Sequence, residues 1–319
     1  MLKYTLKRFL QMIVVLAVVT VLVFFLSNFL SDPIDALVDI QTTSPADIAA
    51  LREKLGLNDP LPVQFARFVS DILHGDFGTS YVYKTPVLEM IFQRVPATAE
   101  IVLFTALLTL LLAVPLGVIA GAEPKRALSK GIMAGSIFGI SLPSFWMGMM
   151  MIYVFAVTLN ILPASGRGAA GPGGFSFLTP GGWRYLVMPV LTLALGYTAT
   201  ILRVTRAGIQ ENMKQDYVKF ARAKGVSHRD VLFRHALKNA LIPVVTVFGL
   251  NIGHMFAFTT VTETIFAWPG VGKLLIDSIM RNDRPVIVAY LILVSAMFVL
   301  INFIVDVIYM LVDPRIELR

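Results

Sequence analysis

Cysteine is absent from the 319 residues, which excludes disulfide staples, thiolate nucleophiles and Cys-based metal sites together. Charge is scarce as well. Only 15% of the chain is Asp, Glu, Lys or Arg, against 56% hydrophobic residues, whereas a soluble globular domain carries about a quarter charged residues. The few histidines, His74, His228, His235 and His254, lie scattered without metal-ligand spacing. His228 and His235 stand two helical turns apart, yet no carboxylate or third ligand joins them on that face, so packing roles outweigh metal binding. No Ser-His-Asp set can be assembled, which leaves hydrolytic catalysis without support. A net charge of +7 would point to nucleic acid in a soluble protein, but no aromatic-basic platform for bases accompanies it.

What is present is a series of apolar runs of the length a bilayer core requires. They give an all-α polytopic membrane protein with six expected spans, about 9–30, 98–121, 131–159, 185–202, 240–262 and 286–312. The first run follows Lys3, Lys7 and Arg8. It is too long for a signal-peptide core and lacks a small-residue cleavage site, so it reads as a retained span. Lys and Arg near the span ends set orientation. Placing the N-terminus inside collects Lys3, Lys7, Arg8, Lys125, Arg126, Lys130 and a basic central stretch on one side, and both termini become cytoplasmic.

The segment from Ser31 to Pro96 is too patterned for a linker. Ser44-Pro45-Ala46-Asp47 is a helix start, and that helix should stop at Gly56. Phe65, Phe68, Val69, Ile72 and Leu73 form an amphipathic stripe ending at Gly75, and Thr85-Pro86 marks a third start. The chain therefore divides into residues 1–96, a span plus a helical periplasmic loop, and residues 97–319, a five-span core with a cytoplasmic loop over 203–240. Gly131, Gly135 and Gly139 in the third span, and Gly249 and Gly253 in the fifth, suit close helix approach; intrachain packing is favoured over a subunit interface. Pro143 and Pro189 are expected to kink their spans. Gly166 to Gly182 is a glycine-rich loop.

Gly270-Val271-Gly272-Lys273 superficially resembles a phosphate-binding loop. The pattern requires an earlier Gly, where Ala267 stands, and Ser or Thr after the Lys, where Leu274 stands. It is rejected, so ATP, if used, is bound elsewhere. Intramembrane charges are costly. Glu100 and Glu263 are expected at the outer interface, where water solvates them, Asp306 shallow on the inner side near Asp313, and Arg203 near an inner span end. No deep relay emerges.

The longest polar interruption of the second half is Asp216 to Pro243. Lys219, Arg222, Lys224, Arg229, Arg234 and Lys238 outnumber Asp216 and Asp230 there. Gly225 ends one helix, and Ser227 with Asp230 caps a second. Resting on anionic lipid would explain the charge, but it needs no Gly-divided helix pair with apolar Val218, Phe220, Ala221 and Ala223 before the turn. A protein groove receiving a short helix does.

Gly225, nine residues, then His235-Ala236-Leu237 resembles the EAA-x3-G-x9-I-x-L-P loop of binding-protein-dependent ATP-binding cassette importer permeases. Ala221, Gly225 and Leu237 match; Lys219, Phe220, His235 and Lys238 occupy the Glu, first Ala, Ile and Pro places. DYVKFARAKGVS, RHALKNALIPVVTVFGLNIG, TETIFAWPGVGKLLIDSI, VDVIYMLVDPRI and the N-terminal LREKLGLNDPLPVQFARFVSDILHGDFGTS are similar to the first (B-type) subunit of the dipeptide, oligopeptide and nickel branch. The resemblance spans nearly the whole chain.

It implies a type I importer permease fold in the bacterial inner membrane, paired with a homologous second permease, two ATP-binding cassette ATPases and an extracytoplasmic solute-binding protein. ATP and Mg would be held by the ATPases, leaving this chain without a cofactor and non-catalytic. The ATPase-coupling residues implied are Lys219, Phe220, Ala221, Arg222, Ala223, Lys224, Gly225, Ser227, Arg229, His235, Leu237 and Asn239. Lys219, where the motif has Glu, implies a different polar partner on the ATPase. The translocation mouth would comprise Glu263, Phe266, Trp268, Pro269, Gly270 and Asp283, working by alternating access. Peptides head the solute classes, with nickel chelates, glutathione and opine-like compounds as alternatives. An ion-coupled secondary carrier is the reading from another class; it requires paired repeats with broken helices at mid-membrane.

Overall fold

In lipid every backbone polar group must be satisfied within its own segment, so long apolar runs fold as helices. The computed structural model describes residues 2–30, 34 and 44–312. Five helices there are long and apolar enough to cross a membrane, by length and composition: Thr5–Asn28, Val87–Ala122, Trp183–Asn212, His228–Ile265 and Arg284–Val307. A bent pair, Ala127–Ser141 and Ser144–Thr158, makes a sixth span if taken together. In chain order the elements are α1 (Leu2–Leu30), α2 (Pro45–Lys54), α3 (Leu61–Leu73), α4 (Val87–Ala122), α5 (Ala127–Ser141), α6 (Ser144–Met151, continued by a π-helical turn Ile152–Thr158), α7 (Trp183–Asn212), α8 (Asp216–Ala223), α9 (His228–Ile265), α10 (Val271–Met280) and α11 (Arg284–Val312). Asp313 and the residues after it lie outside the described residues, as does most of the stretch between Ser31 and Thr43.

Glycine sets the closest crossings. A Cβ on Gly117 of α4 would lie 2.6 Å from Cβ of Thr205 and 2.8 Å from the Leu202 carbonyl, and one on Gly121 would meet Ile209 at 2.8 Å. Residue numbers rise together on both sides of that seam, so α4 and α7 run parallel. Gly208 meets Ala240 and Thr98 bonds to Glu263, so α9 returns antiparallel. Gly253 faces Phe298 and Gly249 faces Val305, bringing α11 back against α9. Finally α1 lies along α11, through Arg8–Asp306 at 3.1 Å near one end and Arg284–Asn28 at 2.9 Å near the other.

Several expectations are revised. The second span does not begin near 98: α4 starts at Val87, capped by the extended Pro86, and carries Pro96 and Pro115 inside it. At 36 residues and about 1.5 Å per residue, it outreaches a bilayer core, and the 96/97 boundary falls in mid-helix. The loop 203–240 is shorter than expected, because α7 runs on to Asn212 and α9 starts at His228. The third span is broken. Leu142 and Pro143 are both extended, as the residue before a proline prefers, and the two halves meet at 101°. Pro189 sits inside α7, whose helical assignment continues through it. The α9 glycines pack within the chain, but Gly131 and Gly135 of α5 have nothing within 4 Å, and Gly139 touches only Leu195.

Between Ser44 and Thr85, Ser44 caps α2 by accepting from Asp47 N at 3.2 Å. Gly56 and Gly75 take φ of +64° and +77° where α2 and α3 end. Phe65 and Phe68 of α3 pack their rings on Phe24 of α1, at 5.2 and 5.5 Å, while Leu73, expected on that stripe, is 79% exposed.

Gly117→Val should force α4 off α7 and destabilise the chain by about 1–3 kcal/mol, the usual cost of overpacking, whereas Gly135→Ala should be silent. Thermal unfolding of the detergent-solubilised protein measures both.

Candidate functional site: a basic elbow and a carboxylate clamp

The helix α8 buries only one of its faces. Val218 and Ala221 are buried against Val231, with Met213 and Val226 alongside. The opposite face is bare: Lys219, Arg222, Ala223, Lys224 and Arg229 are exposed, and so is Phe220, at 62%. Lys224 Nζ sits 4.5 Å over the Phe220 ring, a cation–π pairing that keeps the aromatic oriented in water. Gly225 takes φ +78°, a left-handed conformation that costs an L-residue about 1–2 kcal/mol. Ser227 then caps the next turn, accepting from Asp230 N at 3.1 Å and donating to Asp230 Oδ2 at 2.7 Å. Across the bend, Asn239 Nδ2 donates to the Tyr217 hydroxyl at 3.0 Å, which donates to Asn212 Oδ1 at 2.7 Å. These bonds tie α7, α8 and α9 into one rigid elbow. His235 and Leu237 are half-buried and Asn239 is exposed. The Lys219 ammonium, bonded at 2.8 Å, holds the Asp216 carboxyl below its usual pKa. That contact is present at neutral pH and lost as pH falls through the lowered value.

At the opposite end of α9, Glu263 is fully buried. Its carboxylate accepts from Thr98 Oγ1 at 2.6 Å, from Lys273 N at 2.8 Å and from the Gly272 amide. The last two are free amides in the first turn of α10, where the helix dipole favours an anion. A Cβ on Gly270 would run into that carboxylate. Trp268, wholly buried, donates Nε1–H to the Ala97 carbonyl at 2.8 Å, and Val271 N donates to Thr98 Oγ1 at 2.9 Å. Glu100 is equally buried. Arg167 grips it with Nε at 3.1 Å and Nη2 at 2.9 Å, while Ser176 donates from both its hydroxyl and its amide. Asp283, also buried, accepts from Ser80 Oγ and from Tyr81 N.

Two family models match the chain. One, described as binding-protein-dependent transport system inner membrane component, covers residues 113–318; its N-terminal companion covers 1–102. The oligopeptide transport system permease protein AppB of Bacillus subtilis is 38% identical over 98% of this chain and 99% of its own length. A probable peptide ABC transporter permease protein of Sinorhizobium fredii is 37% identical over 98% and 99%. The glutathione transport system permease protein GsiC of Escherichia coli K12 is 36% identical over the full length of both. The chain belongs to this family. It is an importer permease subunit. Its fold also matches a chain of the inward-facing MetNI methionine ABC transporter, with a TM-score of 0.55 at 16% identity over 71% of the permease and 97% of that chain.

In this permease the residues assigned to the mouth are mostly buried within the chain. Glu263, Phe266, Trp268, Gly270 and Asp283 are buried, and only Pro269 is exposed. Nor do Glu100 and Glu263 rest in interfacial water, as expected from their positions; protein donors have replaced the solvent. The rejected phosphate-loop look-alike turns its Gly272 and Lys273 amides on an acid of the chain itself, Glu263. Thr98, Arg167, Ser176 and Ser80 were missed, because each serves a carboxylate far away in sequence and no local spacing announces it. The unexplained acid in an apolar run was the available signal.

Removing the Glu263 carboxylate, as in Glu263→Ala, strands three donors and should cost about 3 kcal/mol or more. Gly270→Ala should do comparable damage by displacing the same group. Lys273→Ala breaks only the half-exposed pair with Asp277 and should stay within about 1 kcal/mol. Unfolding of the three purified variants tests the ranking.

Proposed function

We propose that this permease is the first membrane subunit of a peptide importer, and that its elbow seats in a groove of an ATP-binding subunit. The observation that carries the proposal is the split personality of α8. Its apolar face is spent inside the chain, yet Phe220 remains in water amid Lys219, Arg222, Lys224 and Arg229. A lipid surface would attract the charges, but it needs no aromatic held rigidly among them by a Gly turn and a capped helix.

The N-terminal end of α1 lies toward the end of the bundle that bears the elbow, since α11 descends α9 from Phe298 at Gly253 to Val305 at Gly249, toward the elbow, and Arg8 pairs with Asp306 just beyond. Lys125, Arg126, Lys130 and the elbow share that end, which makes it the cytoplasmic one by the positive-inside rule. Helices α2 and α3 and the clamp then face outward, toward a solute-binding protein. The assembly contains a second permease and two ATPases; ATP and Mg belong to those partners, and this chain performs no bond chemistry. ATP binding draws the elbows together and the spans rearrange by alternating access. Peptides are the favoured solute because the relatives named for peptides and oligopeptides match over nearly their whole length; the match to GsiC keeps glutathione within the same chemical class. An ion-coupled carrier would need repeated broken helices and movable carboxylates. The described residues hold one bent pair, and Glu100 and Glu263 are immobilised by their donors.

Because nothing lies within 4 Å of a Cβ at Gly225, only backbone conformation opposes substitution there. Gly225→Asn, whose side chain tolerates positive φ, should keep coupling, while Gly225→Val should re-aim α8. In reconstituted complexes the Val variant should lose co-purified ATPase subunits or show ATP hydrolysis without uptake. Unchanged stimulation and uptake in Gly225→Val would remove the elbow's role.

A further inference from the structure

The helix break opens a cavity of about 370 Å³. Its wall is built at the middle of three apolar helical segments. Leu142 and Pro143 are the central pair between Ala127 and Thr158, Tyr197 is the fifteenth of 30 residues in α7, and Asn251 is the fifteenth of the 29 from Leu237 to Ile265. Besides the break itself, the lining carries Ser144, Tyr197, Thr200, Asn251 and His254. Asn251 Nδ2 is shielded from solvent yet has no hydrogen-bond partner. The His254 ring is stacked on Phe298, with centroids 5.8 Å apart. No carboxylate, Lys or Arg belongs to the lining. Irregular backbone and polar side chains at mid-span are tolerated only where they face protein or a watery cavity.

One cation stands just beside it. Gly196 and Thr200 of α7 line the cavity, and Arg203 follows on the same stripe, at the i, i+4, i+7 positions that share a helix face. Arg203 is exposed. Its Nε donates to the Ala199 carbonyl at 3.3 Å, so the side chain folds back toward the middle of the helix. A residue anchoring the span to the cytoplasmic interface would reach the other way. Among the described residues no carboxylate pairs with it.

We infer that this cavity and Arg203 form a solute station in the translocation path, taking a carboxylate at Arg203 and an uncharged, hydrogen-bonding chain along Thr200, Asn251 and His254. The inference rests on the importer reading and narrows its solute to acids with amide-like backbones, as a free peptide terminus is. A neutral lining lets the chain slip past without being trapped by an opposite charge. Arg203 beyond it draws the acid end inward.

The lack of cysteine makes the test direct. Thr200→Cys and, separately, Asn251→Cys are introduced into the full complex with its ATPases and second permease in vesicles. They are exposed to an anionic and a cationic methanethiosulfonate, with and without ATP. Both positions should label in at least one nucleotide state, the anionic reagent reacting with Thr200→Cys faster by about tenfold or more, as a nearby cation dictates. Adding Arg203→Gln should bring the two rates together, and Arg203→Lys should retain the preference. Leu111→Cys, at a residue 70% exposed on the outside of α4, should resist both reagents. No labelling of either cavity position in any state would make the cavity sealed core and overturn the inference. A preference absent from the start, or unchanged by Arg203→Gln, would overturn the role of Arg203. The readout uses no solute, so intact labelling in complexes that fail to import peptides would count against the peptide reading alone. Loss of the ATPases on purification would count against the importer reading instead.

Discussion

A carboxylate sealed from water must be surrounded by donors or it unfolds its own site, and Glu263 meets that demand by joining three helices. Thr98 brings α4, the amides of Gly272 and Lys273 bring the start of α10, and the acid itself stands near the end of α9. Once the join is made, little around it is free to differ. Gly270 must lack a side chain, Trp268 must turn inward to Ala97, and Thr98 must serve Val271 as well as Glu263. Glu100 repeats the device for the glycine-rich loop through Arg167 and Ser176. This end of the bundle is therefore a locked frame, and α9 runs from it for 38 residues to the elbow. At about 1.5 Å per residue, this one helix joins the elbow to the clamp along a covalent route.

Local signals in the sequence found local structure. Ser44, Gly56 and Gly75 delimit α2 and α3 because capping and positive φ are decided within a few residues. Gly225 and Ser227 shape the elbow for the same reason. Hydropathy located the spans but not their ends. Val87 to Pro96 is too polar to count as span, yet helix formation needs only an unbroken backbone ladder, so α4 begins early. What sequence could not give was partnership. Gly131 and Gly249 belong to the same kind of stripe, but only the second has a neighbour, because spacing states what a face permits and not what lies opposite. Glu100 and Glu263 drew attention as charges in apolar runs. Their solvent proved to be a serine, a threonine, an arginine and a helix start, from places 67 to 165 residues distant for Arg167 and Thr98 respectively.

The distribution of close packing indicates where a permease of this build can yield. Helices α4, α7 and α9 approach so tightly at Gly117, Gly121 and Gly208 that a Cβ at any of them would meet the neighbouring helix at 2.6, 2.8 and 3.0 Å respectively. Packed seams of this kind move as a body or not at all. The α5–α6 pair differs on each count. Two of its glycines touch nothing, its turn at Leu142–Pro143 gives up helical hydrogen bonds, and the continuation of α6 is wound as a π-helix. Each feature lowers the cost of changing the angle between the halves without disturbing the clamp. A mobile element must still meet the membrane with its polar backbone covered, and at this break the cover is the Thr200–Asn251–His254 wall. A transporter needs one part that holds position and another that exchanges its exposure. Within this chain the frame built on Glu263 and Glu100 is the tightly bonded part, and the Leu142–Pro143 break, the one bent pair among the described helices, is the loosely packed one.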